Sequence, residues 1–198
     1  MNRRKFCASS VAAAVSAAAA GHACVLAAGQ VIAAPRMRLY KFIFDERYAA
    51  ARAFGAAGEH ACSSAGAAAI HGDVTALWSN ELRREWLAGG GAIAGMTTAR
   101  TLFCLEQLAK DHWMRVTLRA EHAAATGPVV AHRLTAPEAM VAPMRSALAA
   151  ADWPAQTAGV LATCPGRDGA PRSTSVFASA AGRRWAMTHP TLVSFVIA

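Results

Sequence analysis

The stretch Gly91–His122, GAIAGMTTARTLFCLEQLAKDHWMRVTLRAEH, constrains the fold more than any other part of the chain. Gly91 to Met96 is a short apolar run, and Thr97 and Thr98 are of the residue type that caps a helix. Leu102, Leu105 and Ala109 then recur at helical spacing before Met114 to Leu118 turns β-like again. The pattern predicts strand, Thr-capped helix, strand. A helix joining two strands in this way makes them parallel, with a right-handed crossover.

The same alternation runs upstream. Arg38–Asp45, RLYKFIFD, predicts a first strand carrying Leu39, Phe42 and Phe44 and ending on Asp45. Ala50, Ala53, Phe54 and Ala57 mark one helix face at i, i+3, i+4 and i+7, with Gly58 as its stop. Ala67 to His71 predicts a second strand closed by Gly72 and Asp73. Asp73 then caps a helix from about Val74 to Leu87, which Gly89, Gly90 and Gly91 end. Four strands alternating with three helices predict an α/β fold, a three-layer, mostly parallel sheet in the Rossmann-like or flavodoxin-like βαβαβαβ order.

Beyond His122 the pattern loosens. Ala123 to Arg133 reads as a loop or weak strand, β-like only at Val129 to Ala131. Thr135 and Glu138 have capping-box spacing before a helix from Ala136 to about Ala151, which Pro143 should kink or shorten, and Asp152 caps a short helix through Trp153 to Ala162. Pro165–Arg172, PGRDGAPR, is a loop. Ser173 to Phe177, Arg184 to Met187 and Leu192 to Ile197 read as short strands with Gly182 and Pro190 near the turns. Their closeness predicts antiparallel pairing, as an extension of one sheet edge or a flap over it.

The N-terminus is of a different kind. MNRRKF is a basic segment with consecutive Arg3 and Arg4 followed by Phe6, and Cys7 to Ala20 is weakly apolar. This segment resembles a twin-arginine export signal. It departs from that pattern in having Asn2 where Ser or Thr is usual, and Cys7 and Ala8 where Leu and Lys are usual. A general secretory signal that starts with two arginines is the alternative. Both readings make residues 1–34 a signal peptide and 35–198 a single exported α/β domain, cleaved after Ala23 or near Ala33. Gly21, three residues before Cys24, argues against a lipid anchor there. The resemblance implies passage through the twin-arginine machinery to the periplasm or beyond, and a periplasmic redox partner among the expected associations.

With 198 residues, 55% hydrophobic and 16% charged, the chain has room for one real core, and no charge-free internal run is long and hydrophobic enough to predict a membrane span. Of its 20 basic residues, Arg3, Arg4 and Lys5 belong to the signal, which leaves 17 against 12 acids, a net +5. That excess is scattered in pairs such as Arg83 and Arg84 or Arg115 and Arg119. There is no basic stripe or interleaved aromatic platform, so nucleic-acid binding is a poor expectation. Cys62, Cys104 and Cys164 remain in the domain. Cys104, between Phe103 and Leu105, is expected as a small buried hydrophobe, and a Cys62 to Cys164 bridge is conceivable.

Ligands of open parallel sheets bind outside the carboxyl ends of the strands. The polar residues expected at those ends are Asp45 and Glu46, His71 and Asp73, Thr97 and Thr98, and Glu121 and His122. Asp45, His71, Asp73, Thr97, Thr98, Glu121 and His122 are therefore the candidate ligand-binding residues. His71, Asp73, Glu121 and His122 are an alternative divalent-metal or acid/base set, against the simpler reading of caps and exposed histidines. Thr97 and Thr98 could hold an anion at a helix N-terminus or merely cap it. There is no GxGxxG after the first strand, no GxxxxGK[ST], no GxSxG and no HExxH, so no cofactor is named. Glu121 and Arg119 could simply pair at the surface. A small-molecule- or partner-binding accessory protein is the leading expectation, and a small metal-dependent or acid/base enzyme the alternative.

Overall fold

The computed structural model describes residues 37–126, 128–164, 171–180 and 191–198. The segment expected to be an export signal, Cys7, Cys24, the strand expected at Arg184 to Met187 and most of the PGRDGAPR loop lie outside the described residues. Among those described, the order is β1 (Leu39–Asp45), α1 (Ala49–Ala61), β2 (Gly66–Ile70), α2 (Thr75–Leu77), a π-helical turn (Trp78–Leu82), α3 (Arg83–Leu87), β3 (Ala92–Thr98) and α4 (Ala99–Lys110). There follow β4 (Val116–Ala124), β5 (Val129–Pro137), α5 (Glu138–Ala149), α6 (Trp153–Leu161), β6 (Arg172–Ala180) and β7 (Leu192–Ile197). No helix among the described residues is long and apolar enough to cross a membrane.

The seven strands form one mixed sheet in the order β2-β1-β3-β7-β4-β5-β6. Only β2, β1 and β3 are mutually parallel; β7, β4, β5 and β6 pair antiparallel. The fold is thus α/β as expected, but the sheet is not mostly parallel. β3 and β4 do run in the same direction, as the strand–helix–strand pattern requires, yet they are not neighbours. β7 lies between them, antiparallel to both. Neither an edge extension nor a flap, the C-terminal strand is central. Its sequence LVSFVI explains the position: every residue is buried, which suits a strand covered on both faces.

Two other expectations change for the same reason, hidden hydrogen-bonding partners. Val129 to Pro137 is a full nine-residue strand because it pairs with β4 on one side and β6 on the other. The expected capping box at Thr135 does not form: Thr135 belongs to β5, Pro137 stands at the helix start, and Thr135 Oγ1 meets Thr174 Oγ1 at 3.1 Å. Asp152 likewise gives no side-chain cap to α6.

Alternate strand residues feed two buried clusters. Phe42, Ala94, Met96, Leu118, Leu134 and Val196 pack with residues of α1, α5 and α6, whereas Ile43, Ile93, Val193 and Phe195 pack with α2, α3 and α4. The helix α1 does not stop at Gly58. The ring of Phe42 occupies the place a Gly58 Cβ would take, 2.5 Å away, and that of Phe44 the place of a Gly55 Cβ at 2.1 Å, so the glycines let α1 lie close on β1. On the second face α4 packs on β3 and β7. Over β4 to β6 that face stays open: Arg133, Thr174 and Val176 are exposed, and Arg119, Glu121 and Thr135 half-buried. Cys104 and Phe103 point outward from α4, contrary to expectation, because Thr101, Leu102, Leu105 and Ala109 take its inner face. Cys62, Cys104 and Cys164 are all free thiols, with Cys164 buried and its thiol pushed up to about 11 by that burial.

Gly95 is a point of close approach of β3 to β7 and β1. A Cβ there would lie 2.4 Å from Phe195 Cζ and 2.9 Å from the Ile43 carbonyl oxygen, and a backbone atom yields little. Gly95→Ala should therefore cost about 1–3 kcal/mol, read from the denaturant midpoint. A neutral result would show that β7 is not wedged as described.

Candidate functional site

The parallel half of the sheet brings the ends of β1, β2 and β3 together. Asp45, the last residue of β1, is completely buried, and a buried carboxylate needs a counter-charge. Arg47 supplies it through two hydrogen bonds, Nε to Oδ1 at 2.8 Å and Nη2 to Oδ2 at 2.6 Å. Chiefly through that hydrogen bond, Asp45 raises the Arg47 pKa. The turn is anchored further by Glu46 N–H donating to the Ile70 carbonyl at 2.9 Å. Asp45 thus fixes the arginine and is not itself displayed. The guanidinium lies where a Gly72 Cβ would be, 2.3 Å from Nη2, and Gly72 also has φ +83°, so this position suits glycine twice over.

A cavity of about 620 Å³ opens at these strand ends, with Arg47, His71, Asp73, Thr98, Arg100 and Thr191 among its lining residues. Three of the expected residues, His71, Asp73 and Thr98, therefore share one site. His71 is mostly exposed, its Nδ1 3.5 Å from Glu46 Oε1. Asp73 accepts from the Thr75 hydroxyl at 2.7 Å and the Thr75 N–H at 2.8 Å, and these two bonds, the hydroxyl first, lower its pKa. The expected N-cap role is not taken: α2 begins at Thr75, Val74 stands at its cap without a side-chain bond, and Asp73 closes a local turn onto Thr75 one residue earlier. Thr98 caps α4: its Oγ1 accepts from Thr101 N–H at 3.4 Å and donates to Thr101 Oγ1 at 3.1 Å, which in turn donates to the Gly72 carbonyl at 3.1 Å. This relay ties the β2 loop to the start of α4. Thr97 is buried, donates to the Thr98 carbonyl at 3.2 Å and does not line the cavity. Arg100, in the first turn of α4, is exposed and makes no ion pair among the described residues.

Glu121 and His122 are elsewhere. The strand β4 continues to Ala124, so both lie within it and not at its end, and they face opposite sides of the sheet. Glu121 is on the open face, where its Oε1 is 3.0 Å from Arg119 Nη2 and its Oε2 4.0 Å from Arg133 Nε; the expected surface pair with Arg119 is present. His122 is fully buried. Its Nδ1 is 2.9 Å from Nδ1 of His132, its Nε2 2.9 Å from Ser194 Oγ, and His132 Nε2 is 2.8 Å from Ser179 Oγ. Trp153 packs against both rings, tilted to His122 with centroids 4.6 Å apart and edge-on to His132 at 5.5 Å.

The metal set His71, Asp73, Glu121 and His122 is consequently not assembled, and among the described residues no three His, Cys, Asp or Glu are grouped to hold a metal. His132, Ser179 and Ser194 were missed by the sequence reading. The alternation Leu118, Ala120, His122 and Val130, His132, Leu134 carries the signal, since it puts both histidines on apolar faces once β4 and β5 are given their full lengths.

A smaller cavity of about 320 Å³ opens at the other end of β3, beside Arg38, Trp86, Gly90, His112 and Met114. Arg38 is already paired with Glu85 at 3.1 Å, and the site lies away from the carboxyl ends of the parallel strands, where ligands of such sheets bind. Comparison with protein-family models, with curated proteins and with solved structures finds no match for this chain.

The Asp45–Arg47 pair should respond unequally to truncation. Arg47→Ala leaves an uncompensated buried carboxylate and should be the more destabilising change, whereas Asp45→Ala leaves an arginine that reaches water and should cost clearly less. Equal losses in chemical denaturation would contradict the burial described.

Proposed function

We propose that this chain is an exported α/β protein that binds a small ligand, carrying a carboxylate or phosphate, in the cavity at the ends of β1, β2 and β3. The observation that carries the reading is the position of that cavity. In the order β2-β1-β3 the first crossover, α1, packs in one cluster and the connections after β2 and β3 in the other, so the chain changes faces between β1 and β3. Ligands of open α/β sheets bind at such a change of direction, outside the carboxyl ends. Arg100 and the first N–H groups of α4 are the groups suited to an anion, and Arg47, held by Asp45, frames the opposite wall. Asp73 supplies negative charge in the lining, which favours a ligand with a donor group beside its anionic end. The three-layer, flavodoxin-like packing is part of this reading, supported by the two clusters on β1, β3 and β7.

Export rests on Arg3, Arg4 and Phe6. If the N-terminus is a twin-arginine signal, Arg3→Lys with Arg4→Lys should leave the precursor in the cytoplasm in a fractionation assay, and continued export of the double variant would favour the general secretory route. The accessory role, with a periplasmic redox partner, follows from that route alone.

Binding is tested by calorimetric titration of the folded protein with a panel of small carboxylates and phosphates. Arg100→Glu should weaken any binder at least about tenfold, the worth of one lost charge-assisted hydrogen bond, without lowering the melting temperature. Binding unaffected by Arg100→Glu would place the ligand elsewhere.

A further inference from the structure

We propose that the buried chain Ser194–His122–His132–Ser179 is an acid-operated lock on the antiparallel half of the sheet. Its four side chains come from β7, β4, β5 and β6, four consecutive strands, and hydrogen bonds of 2.9, 2.9 and 2.8 Å join them in one line beneath Trp153. Apolar side chains could fill that layer without any polar partner. The chain is therefore a feature to be explained.

Its proton count is the explanation. A neutral imidazole carries one N–H and one bare nitrogen. The contact between the two Nδ1 atoms needs one proton. If His122 Nδ1 holds it, His122 Nε2 is bare and accepts from the Ser194 hydroxyl, while His132 Nε2–H donates to Ser179 Oγ. The opposite assignment reverses every bond. In both, two neutral rings satisfy all three bonds. One added proton keeps the Nδ1–Nδ1 bond but buries a charge; a second sets two N–H groups against each other at 2.9 Å and breaks it.

The surroundings offer such charge no compensation. Facing the rings from β6 and β7 are Ser179, Phe177, Ser194 and Leu192, and from α6 Trp153, none of them an acid or base of the relevant range. Trp153 Nε1 is buried and has no hydrogen-bond partner among the described residues. From α5, Arg145 lies 5.1 Å over the Phe177 ring, a like charge. Glu138 and Asp152, at the starts of α5 and α6, make no hydrogen bond or ion pair with either ring, and the neighbours Glu121 and Arg133 face the other side of the sheet. Consistently, burial, and then the neighbouring His132, hold His122 well below its usual range, and burial brings His132 to about 4.

Both folded values lie below the ordinary histidine value of 6.5, so the native state binds fewer protons than the opened one. Stability from the lock is complete above about pH 6.5 and is lost as pH falls toward 4. Two protons taken up together should raise the opening constant by up to about 100-fold per pH unit, against about tenfold for a single ring. Opening should release β5, β6, α5 and α6. The half made by β1, β2 and β3 contributes nothing to the chain and should stay closed.

The test is hydrogen exchange of the folded protein by mass spectrometry between about pH 7.5 and 4.5, corrected for intrinsic rates. The expected result is steep loss of protection in β5, β6, α5 and α6 with β1 to β3 retained. Equal loss in β1 to β3 would overturn the proposal. A variant combining His122→Leu, His132→Leu, Ser179→Ala and Ser194→Ala removes donors and acceptors together, leaving none unpaired. It should lose the pH response, and a response unchanged from the native protein would also overturn it. Should that variant not fold, nitrogen NMR of the native imidazoles decides: at about pH 6 both rings must be neutral, one protonated at Nδ1 and the other at Nε2, and an imidazolium at that pH would sink the idea.

Discussion

The insertion of β7 between β3 and β4 is the contact on which the rest of the sheet depends. Six consecutive buried residues hydrogen-bond on both sides, so β7 closes one edge of the parallel half and one edge of the antiparallel half at once. Without it β3 and β4 would each present unpaired backbone groups in the middle of the molecule, at a cost no side chain there could offset. The strand follows β4 by 68 residues and β3 by 94, counted from Ala124 and Thr98 to Leu192. Such long-range pairing carries a loop-closure cost and slows folding.

The two halves so joined have different characters. In the parallel half, glycines let the helix α1 press against β1 and an internal ion pair fixes the first strand end, which leaves the loops free to form a cavity. In the antiparallel half one face is sealed by α5 and α6 over a polar line of two serines and two histidines, and the other face is open and carries an ion-pair network of Glu106, Arg119, Glu121 and Arg133. Ser194 connects them chemically: the single polar residue of β7 is tolerated in the centre of the sheet because His122 bonds to it.

Much of the parallel half was legible in the sequence. The apolar strands around Phe42 and Ile93 and the Thr98 cap follow from period and residue type, which are local properties. Three of the expected strand-end residues, His71, Asp73 and Thr98, share the cavity for the same reason. Glu121 and His122 were misplaced because the end of β4 is set by its pairing with β5 and β7, partners that lie up to about 70 residues away and leave no mark on the segment itself.

The sequence by itself determined that strands and helices alternate through Leu118, that β3 and β4 run in the same direction, and that Leu192 to Ile197 is a strand. Only the tertiary structure decided which strands are neighbours. The antiparallel insertion of β7, the extension of β5 and the meeting of His122 with His132 all arise from hydrogen bonding between distant segments. A strand's own residues specify how it alternates and how deeply it is buried, while its backbone donors and acceptors are alike in every strand and accept whichever partner the packing of the helices brings.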